Sequence, residues 1–189
     1  RIRLSLARVL PAETHSESLE GNGKRGRMTN PDCDVLVIGV DGANNGDDSI
    51  GCEIVRRLGP LELPGVVACC HDRMAPNLAE LWSGYEIVYV IDAMRGGGPP
   101  GSILRLDGHT GLIPERYGLD PGRSAQLRRA IELTRALDAL PEQLTLFGVE
   151  VAQRVPSGGL SHPVDEAAER LTHRIAAEIR RHHGQLSAG

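Results

Sequence analysis

The sequence predicts an α/β domain of three layers, α/β/α, with about five mostly parallel strands between helices on both faces. Two observations carry that prediction. Apolar runs of strand length, rich in β-branched residues, recur at 35–40, 87–91 and 144–149, the pattern of parallel strands covered on both faces. Stretches whose apolar residues follow helical spacing lie between and after them, most clearly at 123–139 and 162–183, so strand and helix alternate along the chain.

The first residues stand apart from this pattern. Arg1, Arg3 and Arg8 precede a run of Ser, Glu, Gly, Lys and Asn with almost no apolar periodicity, and 1–31 is expected to be a disordered extension. It lacks the apolar h-region of a secretory signal. Met28 stands shortly before the first strand and is the expected natural start. A single domain is then expected over 32–183, with 184–189 as a flexible tail; 189 residues are enough for a core without disulfides.

The stretch 34–58 organises the rest. Val35, Leu36, Val37, Ile38 and Val40 form a buried strand that stops abruptly; Gly42 and Gly46 bracket a polar loop, and Asp47-Asp48 stand where a helix begins. Ile50, Ile54, Val55 and Leu58 have the spacing of a core-facing stripe. Each Asp either caps that helix or serves a site, because open α/β sheets bind ligands in loops outside the carboxyl ends of their strands. Two adjacent acids are more than one cap needs. There is no G-x-G-x-x-G, and Asp41, Asp47 and Asp48 would repel a phosphate, so a cation or cationic group is the better guest.

After Pro64-Gly65, residues 66–70 read as a second strand with His71-Asp72 at its end. Pro76 with Leu78, Ala79, Leu81 and Trp82 predicts a second helix from near Ala75, stopped by Gly84. The third strand, 87–91, delivers Asp92 to its carboxyl end, where the acid either caps the turn that follows or serves chemistry. Short right-handed crossovers favour the first and third strands as neighbours. Asp48 and Asp92 then converge on one rim, close enough to hold a divalent cation or a cationic side chain, or to share a proton.

Residues 96–100, Gly-Gly-Gly-Pro-Pro, form an irregular loop, and 102–106 a short strand at a sheet edge. The long stretch 107–122, with His109, is expected to border a groove. The third helix, 123–139, turns Leu127, Ala130, Ile131, Thr134 and Leu137 inward. Strand 144–149 ends in Glu150, read first as a loop or salt-bridge residue. The last helix opens with Ser161 or His162 as its cap and Pro163 in its first turn, and Val164, Ala168, Leu171, Ile175 and Ile179 form its buried stripe.

Several function classes fall away. A net charge of −4 and five aromatic residues give no footprint for nucleic acid. No apolar run approaches the ~20 residues of a membrane span. Cys33, Cys52, Cys69 and Cys70 contain no C-x-x-C pair and read as reduced, small hydrophobic residues of a cytoplasmic protein. G-x-S-x-G and H-E-x-x-H are missing, and no Ser or Cys has a base beside it in sequence, which disfavours covalent hydrolysis. What remains is a carboxylate pair able to hold a metal that polarises a carbonyl and activates water.

Val35-Leu-Val-Ile-Gly39 followed by Asn45-Gly-Asp-Asp-Ser-Ile-Gly51 resembles the opening of the nickel-iron hydrogenase maturation endopeptidases. Val88-Tyr-Val-Ile-Asp-Ala93, Leu144-Thr-Leu-Phe-Gly-Val-Glu150 and Gly159-Leu-Ser-His-Pro-Val164 resemble later blocks of that family, in the same order, so the resemblance covers about 34–180. It implies a maturation-protease-like fold and removal of a C-terminal peptide from a hydrogenase large-subunit precursor. It also implies nickel carried by the substrate rather than permanently bound, and ligands that are two acids and a histidine. Asp48 and Asp92 match the acids. Aligning the third helix through Ala130-Ile-Glu-Leu-Thr-Arg-Ala136 sets Arg123 where the family has its histidine, and a guanidinium has no lone pair for a metal. His71 is the nearest substitute, ahead of His109 and His162. Arg123 itself reads as a built-in cation for one or both acids. Three functions stay open: the endopeptidase, a non-cleaving maturation factor on the same fold, and an unrelated small-molecule α/β enzyme.

Overall fold

A computed structural model describes residues 8–10, 34–41, 46–72, 78–110, 121–152 and 158–186. Among them, strands β1 (Arg8–Leu10), β2 (Val35–Asp41), β3 (Val66–Asp72), β4 (Ile87–Met94), β5 (Ile103–Asp107) and β6 (Gln143–Glu150) form one sheet in the order β1-β3-β2-β4-β6-β5. Every pairing is parallel except β5 with β6. Helices α1 (Ile50–Leu58) and α4 (His162–Leu186) cover one face, and α2 (Leu78–Leu81) and α3 (Pro121–Ala136) the other. The α/β/α expectation holds, with β5 at the edge as its alternating sequence predicts.

The two faces of the sheet carry two cores. Val35, Val37, Ala68, Tyr89, Ile91, Phe147 and Val149 pack beneath α1 and α4. Leu36, Ile38, Val40, Val88, Val90, Leu144 and Leu146 pack beneath Trp82 and α3. This is the period-2 alternation of strand side chains. The expected stripe of α4 is buried along its whole length. Arg57, in the last turn of α1, binds Glu53 on its own helix and Asp165 on α4, tying the two helices together at their solvent edge.

The closest packing is backbone on backbone. A Cβ on Gly51 would lie 2.6 Å from the carbonyl oxygen of Ile91 and 2.7 Å from the backbone of Val40; one on Gly39 would collide with Gly51 and lie 2.8 Å from the Cys52 nitrogen. Glycine at both positions lets the first turn of α1 lie directly on β2 and β4.

Some expectations need correcting. Within the stretch 1–31, residues 8–10 pair with 67–69 of β3, because β3 would otherwise leave its outer ladder groups unpaired; the rest of that stretch lies outside the described residues. β4 runs on to Met94, so Asp92 is inside the strand rather than just beyond it. The second helix is a single turn from Leu78, with 73–77 outside the described residues. α3 ends at Ala136, Asp138 takes a left-handed conformation (φ 52°), and Leu137 is 67% exposed instead of inward, because it stands past the last turn of the helix. α4 continues to Leu186, past the expected boundary at 183.

Cys52 on α1 and Cys70 on β3 are joined as a disulfide, with Cα atoms 5.2 Å apart, where four reduced cysteines were expected. They are 18 residues apart and meet because α1 folds back over the sheet onto β3. Cys69 is free and buried as expected, and Cys33 lies outside the described residues.

Replacing Gly51 or Gly39 by alanine forces a backbone shift with no flexible side chain to absorb it. Each is expected to cost about 3 kcal/mol and to lower Tm by roughly 6–12 °C in a chain of this size. Gly97→Ala, where a Cβ meets nothing, pays for its left-handed conformation alone and should cost about 1 kcal/mol. Differential scanning calorimetry of the three variants measures the contrast.

Candidate functional site

β2 and β4 are neighbours whose onward connections run to opposite sides, one toward β3 and the other toward β5 and β6. The space outside their carboxyl ends is therefore a topological switch point, where open α/β sheets receive ligands. Gly46, with φ 91°, turns the chain after β2 into a single 3-10 turn, Asp47–Ser49, that runs on into α1. Ser49 Nα donates to the Gly46 carbonyl at 3.0 Å, and its hydroxyl donates to the same oxygen at 2.7 Å.

The two acids of this turn have different tasks, and neither caps the helix: the N-cap of α1 is Ser49, with no side-chain capping bond. Asp47 is fully buried. Its Oδ1 accepts the Ser161 backbone N–H at 2.6 Å and its Oδ2 the Ser161 hydroxyl at 2.8 Å, so it fastens the entrance of α4 to the turn. Ser161 thus answers Asp47 rather than capping its own helix through its side chain. Asp48, 4% exposed, accepts from Nη2 of Arg95 at 2.8 Å.

Arg95 is the first residue beyond β4, whose final pairing is Met94 with Glu150. Glu150, 2% exposed, accepts the N–H groups of Gly96 at 2.9 Å and Gly97 at 2.8 Å. Its backbone also accepts from Gly101 at 2.8 Å. The loop reading of Glu150 holds. Its carboxylate gathers the glycine loop and so sets the point from which Arg95 reaches Asp48.

Asp92 and His71 flank β2 at one level. His71 registers with Val40, and Asp92 is one step past the Gly39–Ile91 pair. Both share the side-chain parity of the α2/α3 face and are partly buried there. Two strand spacings separate them, about 10 Å between backbones. All three predicted ligands therefore stand at the carboxyl end of the central strands. Among the described residues, however, no three of His, Cys, Asp and Glu are grouped as a cage for a metal ion.

The runner-up histidines fare differently. His109 follows antiparallel β5 and its Nε2 lies 2.9 Å from the Pro141 carbonyl oxygen, beside the amino end of β6 and so at the opposite end of the sheet. His162 is exposed, 3.5 Å from Glu166 on its own helix. Arg123 lies in the first turn of α3, but its side chain lies outside the described residues. The built-in cation seen on Asp48 is Arg95, which the sequence reading passed over. Its signal was available: a lone base directly after the strand that carries Asp92.

No thiol nucleophile competes with this arrangement on Cys69. Burial pushes its pKa up to about 11, so it stays protonated near neutral pH.

No protein-family profile matches the chain, and no curated protein matches it in sequence. Solved structures do match. The hydrogenase maturating endopeptidase HybD from E. coli superposes with a TM-score of 0.64 at 22% identity, covering 78% of this chain and 92% of that one. An endopeptidase from Escherichia coli gives 0.65 at 24% identity, with the same coverages. The NiFe hydrogenase maturation protease HycI from Thermococcus kodakarensis gives 0.54 at 20%, covering 80% and 95%. The chain has the fold of these proteins.

Asp47→Ala strands the Ser161 N–H and hydroxyl together and should cost about 3 kcal/mol, whereas Ser161→Ala, which keeps the backbone bond, should cost about 1 kcal/mol; urea denaturation separates the two. Iodoacetamide at pH 8 should leave Cys69 unlabelled in the folded protein and label it fully in urea, as peptide mass analysis would reveal.

Proposed function

We propose that this protein is a hydrogenase maturation endopeptidase, which removes a C-terminal peptide from a nickel-loaded hydrogenase large-subunit precursor. The observation that carries the reading is the position of Asp48 and Asp92 at the carboxyl ends of adjacent strands, at the switch point of a maturation-protease fold. The sequence blocks around Gly39–Gly51, Asp92, Glu150 and His162, in family order, support it independently.

In this mechanism the nickel is part of the substrate. A bound divalent metal polarises a carbonyl and lowers the pKa of water. Asp48 from the 3-10 turn after β2 and Asp92 from β4 would offer it anionic oxygens, and His71, level with Asp92, would offer an imidazole nitrogen. Asp47 holds the acid-bearing turn on α4, and Glu150 holds the glycine loop beside it. The partner is a polypeptide, with no role for nucleic acid, and the setting is the cytoplasm.

A second reading, a non-cleaving maturation factor on the same fold, is favoured by the cation already on Asp48 and by arginine at 123.

Incubation with nickel-loaded and nickel-free large-subunit precursor, followed by mass analysis of the precursor C-terminus, tests both. The endopeptidase shortens the nickel-loaded form and leaves the nickel-free form intact. Asp48→Asn and Asp92→Asn should each slow cleavage by roughly a hundredfold or more, and His71→Ala by roughly tenfold or more. Nickel-dependent association without loss of mass would favour the second reading.

A further inference from the structure

We infer that Arg95 is the resident counter-ion of Asp48, a displaceable cation that excludes free divalent ions from the site and yields to a metal presented by a docked polypeptide. The inference rests on the reading of Asp48 as an acid that meets the substrate's metal.

Asp48 is nearly inaccessible to water, and a carboxylate in such a place needs a positive partner or strong hydrogen bonds. Arg95 meets that need with its guanidinium. The contact is nevertheless single. One donor, Nη2, reaches Oδ1 at 2.8 Å, without the two-pronged fork that makes arginine–carboxylate pairs rigid. The Nε of Arg95 is buried with no hydrogen-bond partner among the described residues. Swinging outward would hydrate that idle N–H and offset part of the loss of the ion pair.

Arg95 is itself 25% exposed along its side chain and lies beyond the last ladder pair of β4, followed by exposed residues 96–100. Its departure breaks no strand pairing. Glu150 keeps the loop in place through Gly96 and Gly97 whether or not Arg95 is paired.

A free metal ion must displace this cation using its affinity for the site alone. A metal held by a polypeptide brings the binding energy of the whole docked surface, which can be used to displace Arg95. The arrangement therefore selects the carrier as well as the ion.

The test is calorimetric titration of the full chain with nickel chloride, for wild type, Arg95→Gln, Arg95→Met and the double variant Arg95→Gln/Asp48→Asn. The neutral variants should bind nickel about tenfold more tightly than wild type or better, and the double variant should lose the gain. Unchanged or weaker binding in the neutral variants overturns the inference, as does a gain that survives Asp48→Asn. Failure of both neutral variants to fold, read by circular dichroism, also overturns it, because Arg95 would then be a fixed structural ion rather than a displaceable one. No precursor enters this experiment. An absence of peptide cleavage would sink the endopeptidase reading while leaving the nickel result intact, and the reverse also holds.

Discussion

The contact between the backbones of Gly39, Gly51 and Ile91 is the constraint on which the rest of the molecule depends. It lets the start of α1 lie on the sheet at a distance that no other residue pair permits. From that contact the direction of α1 follows, and with it the Cys52–Cys70 junction with β3 and the Arg57 link to α4. The same contact holds the Asp47–Ser49 turn over the ends of β2 and β4 instead of out in solvent. A looser approach would carry both acids away from Arg95 and Ser161.

Three buried carboxylates at one rim illustrate how the same chemical group is given different work by its neighbours. Asp47 and Glu150 each accept two bonds from neutral donors and act as clamps, one on the entrance of α4 and one on the glycine loop. Asp48 faces a cation instead. Neutral donors satisfy a carboxylate without competing for its charge, whereas a guanidinium occupies the place that a metal or another cation would take. That difference marks Asp48 out as the acid with a replaceable partner.

The likeness to maturation proteases lies in the fold at 20–24% identity. The Asp48–Arg95 pair shows how much positive charge the protein keeps beside one of its own acids. A site furnished with its own cation suits a protein that should not collect metal ions by itself.

Periodicity by itself determined the layers, the buried strands, the stripe of α4 and the edge position of β5, because side-chain alternation and helical spacing are local properties of the chain. It also located Asp48, Asp92 and His71 at strand ends, since those ends are where apolar runs stop. What it did not contain was who meets whom across the sheet. Asp47 with Ser161 spans 114 residues, Asp48 with Arg95 spans 47, and Glu150 reaches back 54 to Gly96. The same holds for Cys52 with Cys70 and for β1, where strand pairing recruited a segment with no apolar rhythm of its own. Partners of this kind are chosen by strand order and by the close seat of α1 on the sheet. Both are properties of the assembled backbone, which decided that Arg95, a single base just beyond β4, is the cation seen on Asp48.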